Sequence, residues 1–531
     1  MERRNCGWMV ASDNHNARSQ SIPDVLRRCG LAFSAFVAIG SLAWPQGTDE
    51  AVFAWVGGVL LDGGVPYRDA WDVKGPLTHY LYAVALALFG RNEISVRLFD
   101  LTAIVFSCCL LRQLVLRLNG SHSAGADLAV ILFACAYYAG GYDATAVSDD
   151  WATVLVISAV VVLCRSTSRP HLTNMIVGVI VGLSALVKQT YFLYIILPFI
   201  YQFDRETPRS WSLQLLLPSV MALSIVGGAL VFLYCEHALG DFIGILRFLL
   251  TSYALVDASD QQRHFLFELL GIPLNLFYRG LLVPFCVALF GLYLMRWRNQ
   301  PRETRLLVSW FALATLTVVL QGKYWPEHWF QAVPPIAVSC GLAFTYASRW
   351  DYLLHAVRQR TYISSAIFLI TILPSAVLAV MANYAWPAYA IGVLTRDQYV
   401  VRSTTLWTYP SISRLAVYLK ENTRPGERIA SWGFDPWIFA MSGRKSATRF
   451  GFFEPLTTKG PFLDTYRAIF IHEISHPPAQ CIVINTRGGW FLPEGDGVKS
   501  LREFPAFEQL LTSRYSRVKQ IYPYEVWKLV R

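Results

Sequence analysis

The sequence predicts an all-α polytopic membrane protein of about 11–13 transmembrane helices, with interfacial helices in its first external loop and a small C-terminal α/β extracytoplasmic domain. Three observations carry this. Of 531 residues, 54% are hydrophobic and 15% charged, whereas a soluble domain is ordinarily about a quarter charged. The charge is unevenly spread: about 28 charged residues fall in the last 118 positions and about 54 in the first 413, so a water-soluble unit follows an apolar one. Apolar runs also recur at roughly the 20-residue length that crosses a bilayer. The expected division is 1–28, a cytoplasmic tail; 29–382, a transmembrane domain; and 383–531, an extracytoplasmic soluble domain.

Arg3, Arg4, Arg18, Arg27 and Arg28 precede the first run, about 29–45, which lacks a small-residue cleavage site and reads as a retained anchor. Further runs lie near 77–90, 97–118, 126–141, 150–164, 174–203 (one run or two), 213–235, 281–297, 304–321, 329–347 and 361–382. Basic residues mark cytoplasmic connections. Arg296 to Arg305 and Arg349 to Arg360 therefore place 322–328 and everything after about 383 outside, while the basic N-terminus places 46–76 outside as well. The two walks disagree by one crossing within 77–125.

In the 46–76 segment, Val52, Val56, Val59 and Leu60 recur at helical spacing, so Glu50–Leu61 is expected to be a helix lying in the membrane interface. Asp62, Gly63, Gly64 and Pro66 end it with turn chemistry. A second interfacial segment is expected at about 236–280. In the C-terminal part, helices are expected at 411–422, 436–441, 461–475 and 504–515, strands at 428–431 and 481–484, and a hairpin around Tyr522 to Tyr524. Alternating strands and helices make this a small α/β domain. Seven of the ten cysteines sit in or beside apolar runs, where a thiol behaves as a small hydrophobe, and Cys481 is alone in the C-terminal part.

The net charge of +10 does not indicate nucleic acid, because the basic residues sit at the ends of apolar runs. Chemistry concentrates in the first loop. Asp49 and Glu50 follow the first run directly, and as acidic residues at a helix start they favour its dipole. Together with Asp69, Asp72 and Lys74 they also bring several carboxylates and one cation to a single membrane-surface loop. A carboxylate there can take a proton from an acceptor hydroxyl and a lysine can hold a phosphate, the two tasks of sugar transfer from a lipid phosphate.

Thr48-Asp49-Glu50, Gly64-Val65-Pro66-Tyr67-Arg68-Asp69 and Asp72-Val73-Lys74-Gly75-Pro76, then an apolar run ending at Phe89-Gly90 and Arg97, resemble the first external loop of the glycosyltransferase C superfamily. The closest branch holds protein O-mannosyltransferases, lipid A aminoarabinose transferases and rhizobial lipopolysaccharide-core transferases. The resemblance continues at Lys188 after Ala185-Leu186-Val187, at Lys323-Tyr324-Trp325-Pro326-Glu327-His328, and at Arg424-Pro425-Gly426-Glu427-Arg428-Ile429. It implies a membrane glycosyltransferase that moves a hexosyl or pentosyl unit, with inversion, from a polyprenyl-phosphate donor to a lipid, glycan or protein acceptor of the cell envelope. It further implies a bacterial inner (plasma) membrane, with the active site and C-terminal domain on the periplasmic or extracellular side.

Carried onto this chain, the resemblance makes Asp49 the catalytic base, with Glu50 its acidic neighbour. Asp149 and Asp150, near Asp143, match a second acidic cluster; read from the residues alone, Asp149 caps the helix beginning at Trp151. Lys74, Lys188, Arg263, Arg279, Tyr324 and His328 are the expected donor-phosphate contacts, while Tyr324 also fits an interfacial aromatic belt. Lys188 interrupts an apolar stretch, so it faces a cavity or marks a break between two helices. No cofactor is required, although a divalent metal is compatible with the chemistry.

His472-Glu473-Ile474-Ser475-His476 spells a zinc-protease helix. Pro477 and Pro478 stop that helix at once and no third ligand is evident, so it reads as a helix terminus without metal. The rival reading of the whole chain is a transporter or flippase for a lipid-linked sugar, which ordinarily carries internal repeats and midplane binding residues that this sequence lacks.

Overall fold

The computed structural model describes residues 24–119, 123–165, 169–202, 211–253, 279–297, 301–322, 325–349, 357–488 and 496–530. The membrane part is built from α1 (Asp24–Ser41), α2 (Thr48–Leu61), α3 (Pro76–Phe89), α4 (Glu93–Asn119), α5 (Ser123–Tyr138), α6 (Ser148–Leu163) and α7 (Pro170–Val187). A 3₁₀ segment, Gln189–Ile196, then runs into α8 (Leu197–Gln202), and α9 (Trp211–Cys235) and α10 (Leu239–Phe248) follow. The last membrane helices are α11 (Leu282–Trp297), α12 (Pro301–Gln321), α13 (Val333–Arg349) and α14 (Val357–Asn383). Among the described residues, six helices are long and apolar enough by length and composition to cross a membrane. Leu223, Val231, Leu373 and Met381 are exposed on α9 and α14, as a lipid-facing surface requires.

Polar contacts define two ends of the bundle. At one end Asp127 accepts from Arg27 at 3.2 Å and Arg112 at 3.0 Å, and Asn174 bonds Gln202. This joins the starts of α1, α5 and α7 to the ends of α4 and α8. At the other end lie Asp49, Lys74, Arg97, Asp149, Lys188 and Arg279. Between the ends run α1, α4, α5, α6, α7, the 189–202 segment, α9, α11, α12, α13 and α14, eleven crossings among the described residues. In α7, Gly178 and Gly182 let the backbone of α9 approach at Pro218 and Ala222, the small-residue packing that membrane helices use without a hydrophobic drive.

The run expected at 77–90 is not among the crossings. Its helix, α3, has 14 residues, the same number as the 189–202 segment, so its contacts and not its length decide its course. Both of its flanks meet the same end of the bundle: Gly75 presses on the Leu186 and Val187 carbonyls, and Arg91 donates to Asp62 at 2.8 Å. Alongside it, α2 packs parallel, with Gly57 against Ala83 and Phe53 against Tyr82. The disagreement of one crossing in the sequence walk is corrected here: α3 lies along the surface beside α2, and α4 makes the return crossing.

After α14 the chain forms a five-stranded sheet of order β2-β1-β3-β5-β4 from β1 (Arg428–Trp432), β2 (Lys445–Ser446), β3 (Cys481–Asn485), β4 (Tyr515–Ile521) and β5 (Tyr524–Leu529). β1 runs parallel to β2 and β3, and β5 antiparallel to β3 and β4. β3 is buried on both faces, which is why its sequence is apolar without alternation. Helices at Tyr409–Asn422, Trp437–Ser442, Leu463–Ser475 and Pro505–Arg514 match the expected ones within a few residues, and Arg396–Ser403 and Asp496–Arg502 are additional. The sheet domain seats on the first loop: the Trp71 N–H donates to Arg449 O at 2.7 Å, and Trp437 Nε1 to Gln46 O at 3.0 Å.

Glu473 of the zinc-protease-like helix accepts from Arg449 at 2.7 Å, and His476 Nδ1 lies 3.2 Å from the His472 carbonyl. That glutamate therefore ties the sheet domain together, and no group of three metal-ligating side chains occurs among the described residues.

Candidate active site

Asp49 stands in the first turn of α2, which begins at Thr48 because the Thr48 N–H donates to Asp143 Oδ1 at 2.7 Å. Gly47 has no side chain to cap the helix, so a residue from the α5–α6 connection does it. Lys74 Nζ reaches Asp49 Oδ2 at 3.1 Å, and both remain partly open, with Asp49 40% and Lys74 23% exposed. The Phe53 ring lies under the Lys74 ammonium at 5.8 Å. Lys188 sits where α7 ends: its backbone is extended (φ −150°, ψ 121°) between α7 and the 3₁₀ segment, the helix break its sequence context suggested. Its ammonium meets Asp149 Oδ2 at 2.5 Å, Tyr191 donates to Asp149 Oδ1 at 3.2 Å, and His328 Nε2 is 3.9 Å from the same carboxylate. Glu327 lies within electrostatic range of Asp49, Asp149 and Lys74.

One backbone contact brings the two lysines together. A Cβ on Gly75 would lie 2.1 Å from Leu186 O and 2.7 Å from Val187 O, so only glycine permits the start of α3 to touch the end of α7. Thr78 Oγ1 adds a bond to Val187 O at 3.2 Å. Lys74 and Lys188 are thereby neighbours on two segments far apart in sequence, each held by a carboxylate.

Other expected site residues form the layer beneath. Glu50 is fully buried with its Oε1 at 2.7 Å from Arg97 Nη2. Burial pushes its carboxyl well above the ordinary range while Arg97 pulls the other way. Arg97 also donates to Thr145 Oγ1, Pro45 O and Tyr142 O, fastening α4 to the α1–α2 and α5–α6 connections. Asp150, not Asp149, supplies the cap of α6, accepting from the Val147 N–H at 3.1 Å. The capping role read for Asp149 from sequence thus belongs to its neighbour, which leaves Asp149 free to face Lys188. Asp72 is buried against His79 at 2.7 Å. Asp69 pairs with Arg68 at 2.7 Å and accepts from the Val65 N–H; burial opposes its ionisation, but these partners outweigh it and lower the carboxyl's pKa. Arg279, expected on the donor phosphate, is fully buried and donates to the Ala136, Tyr137, Ala144 and Pro326 carbonyls. These bonds join three segments beneath the site. Arg263 and Tyr324 lie outside the described residues.

The sequence reading did not pick out Tyr191, Asp143's role as a cap, Glu327 or the closure at Gly75. Tyr191 and Glu327 were detectable only as neighbours of Lys188 and His328, one turn or less away in the chain.

A family model described as dolichyl-phosphate-mannose-protein mannosyltransferase matches residues 73–227, which include Lys74, Asp149, Asp150 and Lys188. The crystal structure of ArnT from Cupriavidus metallidurans bound to undecaprenyl phosphate superposes over 95% of this chain and 98% of its own, with 12% identity and a TM-score of 0.57. This chain has the ArnT fold. The apo structure of ArnT agrees, with a TM-score of 0.54 at 14% identity over 96% of this chain and 98% of that one. A structure of the Archaeoglobus fulgidus oligosaccharyltransferase tethered to an acceptor peptide gives 0.49 at 13% identity, over 92% and 72% of the two chains. No curated protein matches the sequence. The family model and the ArnT fold agree with the resemblance to the glycosyltransferase C superfamily read from the residues.

Proposed function

We propose that this integral membrane protein is an inverting glycosyltransferase that takes a sugar from a polyprenyl-phosphate carrier and passes it to a hydroxyl of an envelope acceptor. The observation that carries the reading is the pairing of Asp49 with Lys74 and of Asp149 with Lys188, with Gly75 holding the lysines together at one end of an apolar bundle. The match of residues 73–227 to a mannosyltransferase family model and the undecaprenyl phosphate of the ArnT structure support a lipid-linked donor.

In this reading Asp49 accepts the proton of the acceptor hydroxyl as its oxygen attacks the anomeric carbon. The bond from that carbon to the phosphate oxygen breaks, and its electron pair leaves with the lipid phosphate. Lys74 and Lys188 stabilise the charge that develops there. Asp149 and Tyr191 orient Lys188, while Glu50, Arg97, Asp150 and Arg279 hold the segments around the site. Lys74 and Lys188 are the cations this reading brings to the leaving phosphate, and it invokes no metal. The positive-inside pattern supports an orientation in which this end and the sheet domain are non-cytoplasmic, on the periplasmic or extracellular side if the membrane is a bacterial inner one.

The test is mass spectrometry of envelope glycolipids, polysaccharides and glycoproteins from cells with and without the gene. The expected result is one sugar missing from one class, restored by the wild-type chain and not by Asp49→Asn. Restoration by Asp49→Asn would remove Asp49 from the chemistry, and an unchanged glycan profile would sink the assignment.

A further inference from the structure

A cleft of about 540 Å³ opens between the first loop and the sheet domain, a size within the range of sites that hold small ligands. Its charged lining comprises Arg68, Arg91, Arg428, Arg444, Lys445 and Arg449 against Asp62, Asp69 and Glu473, six cations to three carboxylates and an excess of three positive charges. The cations are not equivalent. Arg68 pairs with Asp69, and Arg449 bonds both Glu473 and, just outside the lining, Asp241, so these two arginines build the walls and add no free charge. Arg444 is buried and donates to Thr423 Oγ1 and the Lys420 and Thr423 carbonyls, so it contributes field and no contact. Three remain available. Arg91 and Lys445 share the single carboxylate of Asp62 at 2.8 and 3.1 Å while 52% and 57% exposed, and Arg428 is exposed and makes no ion pair among the described residues. The same lining carries small residues at Ala54, Gly58, Ala440 and Gly443 and the aromatic rings of Trp55 and Phe439, a surface on which sugar ring faces can rest.

We propose that this cleft binds the anionic groups, phosphate or carboxylate, of an acidic glycan acceptor through Arg91, Arg428 and Lys445. The inference rests on the proposed transfer reaction and assigns it an acceptor class. Placement agrees with this, because α2 carries Asp49 at its start and the cleft-lining Ala54, Gly58 and Asp62 further along. Asp49 lies on the opposite face of α2 from these three residues, so a glycan seated in the cleft would pass round the start of α2, where Gln46 lines the cleft, to bring a hydroxyl to Asp49. Neither part of the protein forms the cleft alone, so the sheet domain is an acceptor-binding element as well as a cover.

The experiment measures binding by the purified full-length protein of three matched pentasaccharides: pentagalacturonate, pentamannosyl phosphate and neutral mannopentaose. Pentaglutamate serves as the acidic peptide. The expected result is that at least one acidic sugar binds, that it weakens at least about tenfold in Arg428→Gln/Lys445→Gln, the worth of one charge-assisted contact being the floor for two removed cations, and that it also weakens when salt is raised from about 0.05 to 0.5 M. Which of the two acidic sugars binds distinguishes carboxylate from phosphate. Lys74→Ala should bind the acidic sugar as the wild type does, separating the cleft from the donor site. A short-chain polyprenyl phosphate should bind the double variant normally, which also reports that it is folded. Equal binding of mannopentaose or pentaglutamate, undiminished binding by the double variant, salt-independent binding, or no binding of either acidic sugar would each overturn the proposal. Failure of the wild type to bind the polyprenyl phosphate would count against the transfer reaction and leave the cleft result to be read on its own.

Discussion

Asp49 keeps 40% of its side chain open beside Lys74, while Glu50, one residue on, is fully enclosed against Arg97. The two carboxylates should respond differently to the same isosteric change. Asp49→Asn should bind a short-chain polyprenyl phosphate and fold normally but lose about 10²- to 10⁴-fold in turnover, the usual worth of a general base. Glu50→Gln leaves the Arg97 guanidinium buried without its counter-charge. Its effect should appear first as a stability loss of about 3–5 kcal/mol, read as a lower melting temperature or a lower yield of folded protein. A folded, stable Glu50→Gln with Asp49-like kinetics would reverse the two assignments. For Lys74, alanine should weaken donor-analogue binding and turnover together, and arginine should recover part of the binding, since a planar fork does not place its charge where a compact ammonium does. Chelation should leave turnover unchanged if the lysines neutralise the leaving phosphate; full loss with EDTA and recovery with one divalent ion would assign that role to a metal.

Gly75 shows how a helix start sets site geometry. Gly75→Ala puts a methyl within 2.1 Å of Leu186 O, where backbone cannot yield cheaply, so α3 must move off α7 and take Lys74 away from Lys188. Donor-analogue binding should fall and stability drop by about 1–3 kcal/mol, the cost of an overpacked contact. Gly58→Ala, which meets open space on α2, should be close to neutral for stability. In the sheet domain, Asp435 accepts from Asn485 and Tyr524 at 2.7 Å each, and burial pushes its carboxyl up to about 6 against those two donors. The unfolded carboxyl releases its proton near 3.9. Between roughly pH 4 and 6 the folded state therefore binds more protons, so stability should fall as pH rises through that window and level off above it, by about 3 kcal/mol for this shift. Tryptophan fluorescence melts of the full-length protein should show this slope, and Asp435→Asn should flatten it.

Across the whole molecule the arrangement of α3 is the most exposed claim. With eleven crossings, Asn92 in the α3–α4 turn and Glu421 in the sheet domain lie at one end of the bundle and Arg165 at the other. In a background without native cysteines, Asn92→Cys and Glu421→Cys should react with an impermeant thiol reagent from outside and Arg165→Cys should not. Labelling of Glu421→Cys without Asn92→Cys would mean that α3 spans. Several contacts join the sheet domain to the membrane part, including Trp437 to Gln46, Tyr142 to Thr405 at 2.7 Å, and Gly451, whose Cβ would meet the Trp55 ring at 2.6 Å. These contacts hold the sheet domain against the α1–α2 connection and α2, beside the cleft.

Composition and periodicity determined the membrane bundle, its apolar segments and the α/β character of the C-terminal part, because burying a segment in lipid or in a sheet constrains every residue along it. Local motifs likewise placed Asp49, Lys74 and Lys188 at segment ends, and the cost of an ammonium among apolar residues marked Lys188 as a break. Only the tertiary structure decided which of these side chains meet. Asp149 and Asp150 are adjacent and chemically alike, yet one faces Lys188 and the other caps its own helix. Arg279 is a cation at the same end of the bundle, yet it is fully buried and donates to four backbone carbonyls. Hydropathy could not tell that α3 lies flat, since an apolar helix reads alike along a membrane surface and across it; the close approach at Gly75 and the Arg91–Asp62 pair fix its course. Adjacent residues of a helix point about 100° apart, so partner choice depends on what the rest of the chain brings to each face, and a pattern along one segment does not contain that information.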